Sequence, residues 1–417
     1  MPFSRLSIQW KITLLAGLCL LVIVTLLVAT SLYQARSSAE MVKQSSSQML
    51  EQAAQLRMQA RAEAQALEIQ RYFMDAYQYG KGFSRQVLFL RAQAEKRFLD
   101  AFDLREDMTR QVRTALEGNP DLLGLYVVFE ANALDGKDDL FVGQAELGSN
   151  DKGRFSLYWS QATAGELEAE PLTEEQLADT TAGPSGTPYN AWYTCPRDSK
   201  AACVLDPYFD DVGGKQILMT SIAFPLLLDG KVVGVMGVDI SLDSLQQLSM
   251  QAHKALYEGA GQVSIISPAG LLAGHSNDSK LLGEPLLKAF AEQGSELLDL
   301  IKRGQPAALK HSQMQRLVSP WQPIPDAKPW SVLLEVPNAV LLKPALQLEQ
   351  QLDQQSTADS AKSLVLGLVA VLLGLLLMWL TARGVTRPIL GVAAMLKDIA
   401  SGEGDLTRRL AYAKQDE

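Results

Sequence analysis

Two long apolar stretches stand out in the pattern of hydrophobic and polar positions. Residues 12–32 and 363–382 contain 21 and 20 residues without a single charge. As helices that rise ~1.5 Å per residue, each would be about 30 Å long, which matches the hydrocarbon core of a bilayer. The first stretch follows basic residues, as in a cleaved signal peptide, but it is longer than the apolar part of such a peptide and no small-residue cleavage site follows it. We therefore predict two transmembrane helices.

The charge distribution predicts the orientation of these helices. The terminal segments 1–11 and 383–417 together contain eight basic and five acidic residues, whereas residues 33–362 carry a net charge of −12. Basic segments favour the cytoplasmic side of a membrane. Both ends are therefore predicted to be cytoplasmic, and residues 33–362 periplasmic, in a multi-pass protein of the inner membrane. The net charge of −9 over the whole chain argues against a nucleic-acid partner.

The first part of the periplasmic segment, residues 33–118, has a helical pattern. It is rich in Ala, Gln, Ser and Glu, and we predict a break at the Tyr-Gly-Lys-Gly sequence 79–82 and an end at Asn119-Pro120. Val42, Met49 and Leu56 recur every seven residues. This weak heptad pattern is typical of helix pairing in a dimer, although a helix that packs only on its own domain would fit equally well.

Short apolar runs separated by turn residues predict strands after residue 119. The clearest signal is Asp229-Gly230 between the runs 215–228 and 231–240, which predicts a β-hairpin. We predict an α+β fold with a larger membrane-distal module at 119–250 and a smaller membrane-proximal module at 251–337. A return helix at 338–362 then leads into the second membrane span.

The cysteines and the absence of known motifs limit the chemistry. Cys195 and Cys203 are separated by seven residues, and in an oxidising compartment such a pair is expected to form a disulfide. A metal-binding pair is the alternative, but no His or third Cys stands near it, and Cys19 lies within the first membrane span. The chain has no phosphate-binding loop, nucleophile elbow or zinc-protease motif. We predict no catalytic residues, no cofactor and no metal.

Acidic and aromatic residues cluster near the predicted strand ends. Asp210 and Asp239 each follow an apolar run, and the aromatic residues near them in the sequence are Tyr158, Trp159, Trp192, Tyr193 and Tyr208. Carboxylates beside aromatic faces suit a cationic ligand. The alternative is that the aromatic residues belong to the core and that the two aspartates cap turns. For the cluster as a whole we favour a ligand-binding site.

Five segments resemble the double-Cache ligand-binding domain of bacterial chemoreceptors, in which two PAS-like modules follow a long helix. They are LYVVFEANALDGKD (125–138), GRFSLYW (153–159), WYTCPRDSK (192–200), DPYFD (206–210) and GVMGVDISLDSL (234–245). Residues 386–410 resemble the start of a HAMP linker of the methyl-accepting chemotaxis type, most specifically at Pro388 and at the sequence GEGDLT.

The resemblance covers nearly the whole chain and implies a homodimeric receptor whose partial HAMP segment is residues 383–417. The signalling region would lie beyond residue 417 and would contact a chemotaxis kinase and its adaptor. A histidine kinase or a diguanylate cyclase as the output is the alternative.

The same resemblance implies a ligand class. Amino-acid-sensing members have an Arg two positions before the Trp-Tyr pair and a Tyr five positions before that Arg. This chain has Asn190 and Ser185 there, and Asn190 is by its position also expected to be a ligand-binding residue. The aspartates that hold the ligand amino group in those members correspond to Asp210 and Asp239. Since a neutral amide cannot replace a guanidinium, the expected ligand is an amine without a carboxylate: a polyamine, a biogenic amine or a quaternary ammonium compound. Arg154 or Arg197 would be needed for the alternative ligands, amino acids and taurine-like zwitterions.

Overall fold

A computed structural model describes residues 8–163, 165–311 and 313–400. The GEGDLT sequence of the predicted HAMP segment, at 402–407, lies outside the described residues. Within them the α-helices are α1 (Ile8–Arg97), α2 (Ala101–Glu117), α3 (Glu174–Ala178), α4 (Ala191–Ser199), α5 (Leu242–Ala255), α6 (Leu286–Phe290), α7 (Gly294–Arg303), α8 (Asn338–Leu341) and α9 (Lys343–Ala400).

The strands form two antiparallel sheets. They are β1 (Gly124–Phe129), β2 (Ser156–Thr163), β3 (Glu166–Pro171), β4 (Cys203–Val204), β5 (Tyr208–Val212), β6 (Lys215–Leu228), β7 (Lys231–Ser241), β8 (Gln262–Ile266), β9 (Leu272–His275), β10 (Ala307–Lys310), β11 (Met314–Trp321) and β12 (Trp330–Pro337). The first sheet has the order β3-β2-β1-β7-β6-β4, with β5 also paired to β6, and the second has the order β10-β11-β12-β8-β9. The predicted α+β class and the two modules in sequence order are confirmed.

The hairpin between β6 and β7 forms where the sequence predicts it. Asp229 and Gly230 have φ angles of 48° and 76°, and the turns that match the twist of two antiparallel strands require positive φ at both central positions. The hairpin matters for the site because β7 carries Asp239, while β6 pairs with both β7 and β5.

The predicted helix break at 79–82 is wrong. Helix α1 continues without interruption to Arg97, and the chain turns at Phe98, whose φ is 55°. At position 80 a Cβ atom would lie 2.4 Å from the ring of Phe224 and 2.9 Å from the side chain of Val238. Gly80 therefore allows the sheet to pack closely on the helix, which is a use of glycine that a helix tolerates at a cost of about 1 kcal/mol.

Two units divide the chain. In one of them, the apolar parts of α1 and α9 pack together through glycines. A Cβ atom at Gly17 would lie 2.7 Å from Leu375, and one at Gly374 would lie 2.3 Å from Leu20. Both helices are long and apolar enough to cross a membrane. Outside the apolar stretch, Lys43 Nζ lies 2.7 Å from Glu349 Oε1.

The other unit, residues 52–342, contains both sheets. The first sheet buries a different set of side chains on each face because strand residues alternate between the two faces. Leu125, Val127 and Phe129 belong to the large core that includes α1 and α2. Tyr126, Val128 and Tyr158 belong to a second core that includes α4. The candidate site lies on this second face.

Candidate ligand-binding site

Glycines on neighbouring strands make room for two tyrosine rings on the α4 face of the first sheet. Tyr126 on β1 lies opposite Tyr158 on β2 and opposite Gly237 on β7. A Cβ atom at Gly237 would lie 2.0 Å from the Tyr126 ring, and one at Gly124 would lie 2.4 Å from the Tyr158 ring. Gly124 in turn lies opposite Asp239. The Tyr126 ring therefore lies over Gly237 on β7, the strand that carries this aspartate, and the Tyr158 ring lies over Gly124 on β1.

A small cavity, with room for about one water molecule, lies on the same face of the sheet. Its lining residues are Tyr126, Tyr158, Leu172, Trp192, Tyr208, Asp210 and Asp239. Five of the residues that the sequence predicts as ligand-binding are thus brought together from four separate elements: Tyr158, Trp192, Tyr208, Asp210 and Asp239.

Asp239 is the most deeply buried acidic group of the cavity, with 2% of its surface exposed. Ser221 lies opposite it on β6 and donates a hydrogen bond of 2.5 Å to its Oδ1 atom. Burial raises the pKa of Asp239 to about 7; the Ser221 hydrogen bond and the nearby Tyr158 hydroxyl lower it, and the charge of Asp210 raises it. A buried carboxylate whose ionisation is this costly gains from a cation placed beside it.

Asp210 lies on β5 and is held by its neighbours. The Tyr189 hydroxyl donates a hydrogen bond to its Oδ1 atom, and the Asp211 N–H donates a second one of 2.9 Å to the same oxygen. Burial raises the pKa of Asp210, while the Tyr189 hydrogen bond lowers it. Both hydrogen bonds come from neutral groups, so they orient the carboxylate without neutralising its charge.

The aromatic wall of the cavity depends on α4. The Tyr126 hydroxyl donates a hydrogen bond of 3.0 Å to the carbonyl oxygen of Trp192, and the two ring centroids lie 5.0 Å apart in an edge-on arrangement. A disulfide joins Cys195 on the same helix to Cys203 on β4. The helix that carries Trp192 is thus attached to the sheet both by a hydrogen bond and by a covalent link.

A second pocket adjoins the cavity. It is larger than the cavity, is lined mainly by the loop 179–189 and shares Tyr208 with the cavity. Tyr189 lines this outer pocket and Asp210 lines the cavity, and the two side chains are hydrogen-bonded to each other. This hydrogen bond therefore lies between the two spaces.

Three predicted ligand-binding residues do not line the cavity. Trp159 follows Tyr158 on β2 and so points to the opposite face, where the Arg113 guanidinium lies 5.6 Å from its ring. The Tyr193 hydroxyl donates a hydrogen bond of 2.6 Å to Glu130. The Asn190 side-chain amide donates one of 2.9 Å to the carbonyl oxygen of Leu177, just before α4 begins.

The two arginines considered as partners for a ligand carboxylate are paired with acids. Arg154 Nε lies 3.0 Å from Glu174, and Arg197 Nε lies 2.7 Å from Asp198. Neither residue lines the cavity, and none of the cavity's lining residues is basic. In the part of the chain that the structure describes, no group of three or more metal-ligating side chains is found.

Sequence reasoning missed four residues of the site: Tyr126, Leu172, Tyr189 and Ser221. All six residues of β1 are buried, so the strand shows no alternation from which the orientation of Tyr126 could be inferred. Ser221 is a site residue only because it lies opposite Asp239. Its signal is the strand register, which the hairpin turn at 229–230 and a β-bulge between Leu226 and Leu227 set together.

The fold consists of a long N-terminal helix followed by two Cache-like modules. It resembles the periplasmic sensory domain of the Campylobacter jejuni chemoreceptor Tlp1, with a TM-score of 0.53, 15% identity and coverage of 68% of this chain and 94% of that one. It also resembles the extracellular domain of mmHK1S-Z3, with a TM-score of 0.55, 21% identity and coverage of 70% and 98%. At these identities the likeness concerns the fold alone.

The sequence comparisons are more specific. Residues 108–247 match the family described as methyl-accepting chemotaxis protein-like, first PDC sensor domain. Over all 417 residues the chain is 65% identical to the methyl-accepting chemotaxis protein TlpQ of Pseudomonas aeruginosa, and it spans 58% of the length of that protein. The chain is therefore similar along its whole length to part of a methyl-accepting chemotaxis protein, and residues 108–247 are similar to a PDC sensor domain.

Proposed function

We propose that this chain is the sensing part of an inner-membrane chemoreceptor that binds a small cationic amine in the periplasm. Binding would bias α9 and, through the HAMP segment, the chemotaxis kinase and adaptor outside this chain. The observation that carries the ligand class is the composition of the cavity. Asp210 and Asp239 line it together with four aromatic rings, and no basic residue is among its lining residues.

The electrostatics of the empty cavity favour a positive ligand. Asp239 is buried and Asp210 is half-buried, the hydrogen bonds described above come to both from neutral donors, and the charge of Asp210 opposes the ionisation of Asp239. A cation 4 Å from one carboxylate would gain ~4 kcal/mol at an effective dielectric constant of 20, before desolvation. A contact with an aromatic face adds about 0.5–2 kcal/mol. Polyamines, biogenic amines and quaternary ammonium compounds all carry the positive charge that both interactions require.

An amino acid or a taurine-like zwitterion is the second candidate. Its acidic group would need a cation, and the two arginines considered for that role, Arg154 and Arg197, are engaged with Glu174 and Asp198. Either arginine would have to leave its partner and move toward the cavity. Because this costs an existing ion pair, we favour the amine.

Isothermal titration of the chain in lipid nanodiscs tests the ligand class. Putrescine, choline and L-alanine would be titrated into the unmodified protein and into Asp239→Asn. We expect at least one of the two cations to bind, L-alanine not to bind, and Asp239→Asn to weaken binding at least 50-fold. Asp211→Asn is the matched control, since Asp211 is on β5 but does not line the cavity. Binding of L-alanine alone, or unchanged affinity in Asp239→Asn, would overturn the proposal.

We also propose that two copies pair through α1. Val42, Met49 and Leu56 recur every seven residues, and their side chains are 50%, 61% and 67% exposed. A second copy of the same helix would cover this stripe. In a Cys19→Ser background, Met49→Cys should form a cross-linked dimer on oxidation, whereas Ser47→Cys, on another face of the helix, should not. Equal cross-linking at both positions would contradict this pairing.

A further inference from the structure

The hairpin β8–β9 of the second sheet is in contact with the segment that carries Asp210. Asp206, four residues before Asp210, accepts a hydrogen bond of 3.1 Å from the N–H of Ala269. Ala269 lies in the turn between β8 and β9, and its neighbour Gly270 closes that turn by a hydrogen bond to Ser267. The strand that forms one side of the cavity is therefore attached to the tip of a hairpin in the other module.

The same hairpin is also attached to the strand that carries Asp239. Strand β7 is followed directly by α5, where Gln246 binds both backbone groups of His275 at the end of β9. Its Oε1 atom accepts a hydrogen bond of 2.7 Å from the His275 N–H, and its Nε2 atom donates one of 2.9 Å to the His275 carbonyl oxygen. Gln246 thus bonds both the N–H and the carbonyl oxygen of one residue, as a neighbouring strand does, and so holds the end of β9 in place.

A packing contact supports the two polar ones. Leu218, which lies opposite Phe209 in the β5–β6 ladder, reaches Gly283. A Cβ atom at Gly283 would lie 2.8 Å from the Leu218 side chain, and the Gly283 N–H is bound to the carbonyl oxygen of Leu272 at 2.8 Å. Leu218 therefore packs against a residue that is hydrogen-bonded to Leu272, the first residue of β9.

The hairpin has a direct structural path to the last helix. Strand β8 pairs with β12 over five positions from Ser331↔Ile266 to Glu335↔Gln262. Strand β12 ends at Pro337, and the chain continues at once into α8 and then α9. A displacement of β8–β9 would be carried by this ladder, since close-packed strands move together rather than deform continuously.

We propose that the hairpin β8–β9 receives the binding signal, and that Asp206 and Gln246 are the two positioning residues that transmit it. The location of the ligand is taken from the proposed function, but the contacts are independent of the ligand's identity. A change in the cavity that moves β5 or β7 would shift the turn at Ala269 or the strand end at His275. Gln246 lines neither the cavity nor the outer pocket, and Asp206 lines only the outer pocket, so removing them would uncouple the modules while Asp210 and Asp239 stay in place.

Hydrogen exchange in the whole chain, in nanodiscs and with putrescine as the probe, tests this coupling. In the unmodified protein we expect putrescine to slow exchange at residues 263–276 at least threefold. In the double variant Asp206→Ala/Gln246→Ala that change should be lost, while the putrescine Kd measured by titration stays within threefold. Asp206→Asn in place of Asp206→Ala keeps an acceptor oxygen and should restore part of the change.

The matched control is Asp278→Ala. It removes a hydrogen bond of the same type, from the Lys280 N–H to Asp278 at 2.9 Å, but one that lies within the second module. The exchange response to putrescine should survive in this variant. Loss of the response in Asp278→Ala to the same extent as in the double variant would overturn the proposed role of Asp206 and Gln246.

A second arm does not depend on the ligand. Asp239→Asn removes a buried charge from the cavity and should alter exchange at 263–276 in the ligand-free protein, but not when Asp206 and Gln246 are both replaced. If this result is obtained and neither putrescine nor choline binds, the ligand class is wrong and the coupling stands. If neither putrescine nor Asp239→Asn changes exchange in the hairpin, or if the double variant responds as the unmodified protein does, the coupling is refuted.

Discussion

Ser221 and Asp239 lie opposite each other on β6 and β7, and the serine hydroxyl donates a hydrogen bond of 2.5 Å to the carboxyl group. The Ser221 Oγ atom is itself 2.7 Å from the Tyr208 hydroxyl. Tyrosine, serine and aspartate thus form a chain of hydrogen bonds beneath the cavity. This chain orients the carboxylate, and none of its three members carries a positive charge.

Replacing Ser221 by Ala should weaken amine binding. The hydrogen bond lowers the pKa of Asp239, so its loss raises that pKa further and leaves less of the carboxylate ionised at neutral pH. A hydrogen bond to a charged group is worth about 1.5–3 kcal/mol, and we expect the Kd for a cationic amine to rise about tenfold. Isothermal titration at pH 7.5 measures this.

Ser331→Ala is the control for this substitution. Ser331 is also fully buried in a strand, but its hydroxyl has no hydrogen-bond partner within the described part of the chain. The variant should bind the amine as the unmodified protein does. Equal affinities in Ser221→Ala and the unmodified protein would show that the hydroxyl does not support the charged form of Asp239.

Amine binding should strengthen as the pH rises through about 7. Burial raises the pKa of Asp239 to about 7, and a permanently charged ligand such as choline attracts only the ionised form. Between pH 8 and pH 5.5 the fraction ionised falls about 30-fold for a pKa near 7, and the Kd should rise by the same factor. Titrations at four pH values measure the slope, which Asp239→Asn should abolish. A pH-independent Kd in the unmodified protein would place the cation elsewhere.

The stability of the protein without ligand should depend on pH in the opposite direction: it should decrease as the pH rises. The pKa of Asp239 is 3.8 when unperturbed and about 7 in the fold, so between these values the folded state keeps a proton that the unfolded state has lost. The free energy of unfolding therefore decreases as the pH rises from about 4 to 7, by at most ~1.4 kcal/mol per pH unit. Above pH 7 the full penalty is present.

Asp239→Asn removes this penalty, so the difference in stability between the variant and the unmodified protein gives the contribution of Asp239 separately from that of other titrating groups. The variant should be more stable than the unmodified protein at pH 8, by about 2–4 kcal/mol, and the difference should vanish near pH 4. Denaturant unfolding of both proteins at pH 4, 6 and 8 measures the difference. If the free energies of unfolding of the two proteins change with pH in the same way, Asp239 ionises as easily in the folded state as in the unfolded state.

Much of the fold and the centre of the site could be predicted from the sequence because they depend on local signals. The Asp229-Gly230 turn predicts the hairpin, and an aspartate after an apolar run predicts a polar group at the end of a strand. Gly80 shows the limit of this reasoning. A glycine that breaks a helix and one that lets Phe224 approach it look the same in the sequence, and only the sheet packed on α1 distinguishes them.

The rest of the site depends on register and on tertiary contacts. Helix α4 contains two aromatic residues and Pro196, so its sequence gives a poor helical signal, and the sheet and the disulfide hold it in place. Trp159 and Tyr158 are adjacent and equally aromatic, but the strand alternation turns them to opposite faces. No sequence pattern states which of the two faces will carry the cavity.

The disulfide should stabilise the module that carries the site. A link that closes a loop of this size is worth about 2–3 kcal/mol by the loop-entropy estimate, and it joins α4, the helix of Trp192, to β4. We expect Cys195→Ala/Cys203→Ala to lower the free energy of unfolding by about that amount and to weaken amine binding. Denaturant unfolding and titration measure both effects. If the double variant is as stable as the unmodified protein, the noncovalent contacts of α4 are sufficient to hold this helix in place.

Tyr189→Phe should change the kinetics of binding more than the affinity. The Tyr189 hydroxyl is bound to Asp210, and this hydrogen bond lies between the outer pocket and the cavity, so an amine arriving from the outer pocket has to break it. Removing the hydroxyl should raise the association and dissociation rates several-fold, whereas the Kd changes less because the cation replaces the same hydrogen bond in the bound state. Stopped-flow fluorescence of Trp192 follows the rates. Tyr193→Phe is the control, since its hydroxyl is bound to Glu130 and should leave both rates unchanged. If Tyr189→Phe leaves the rates unchanged as well, the amine reaches Asp210 and Asp239 by another route.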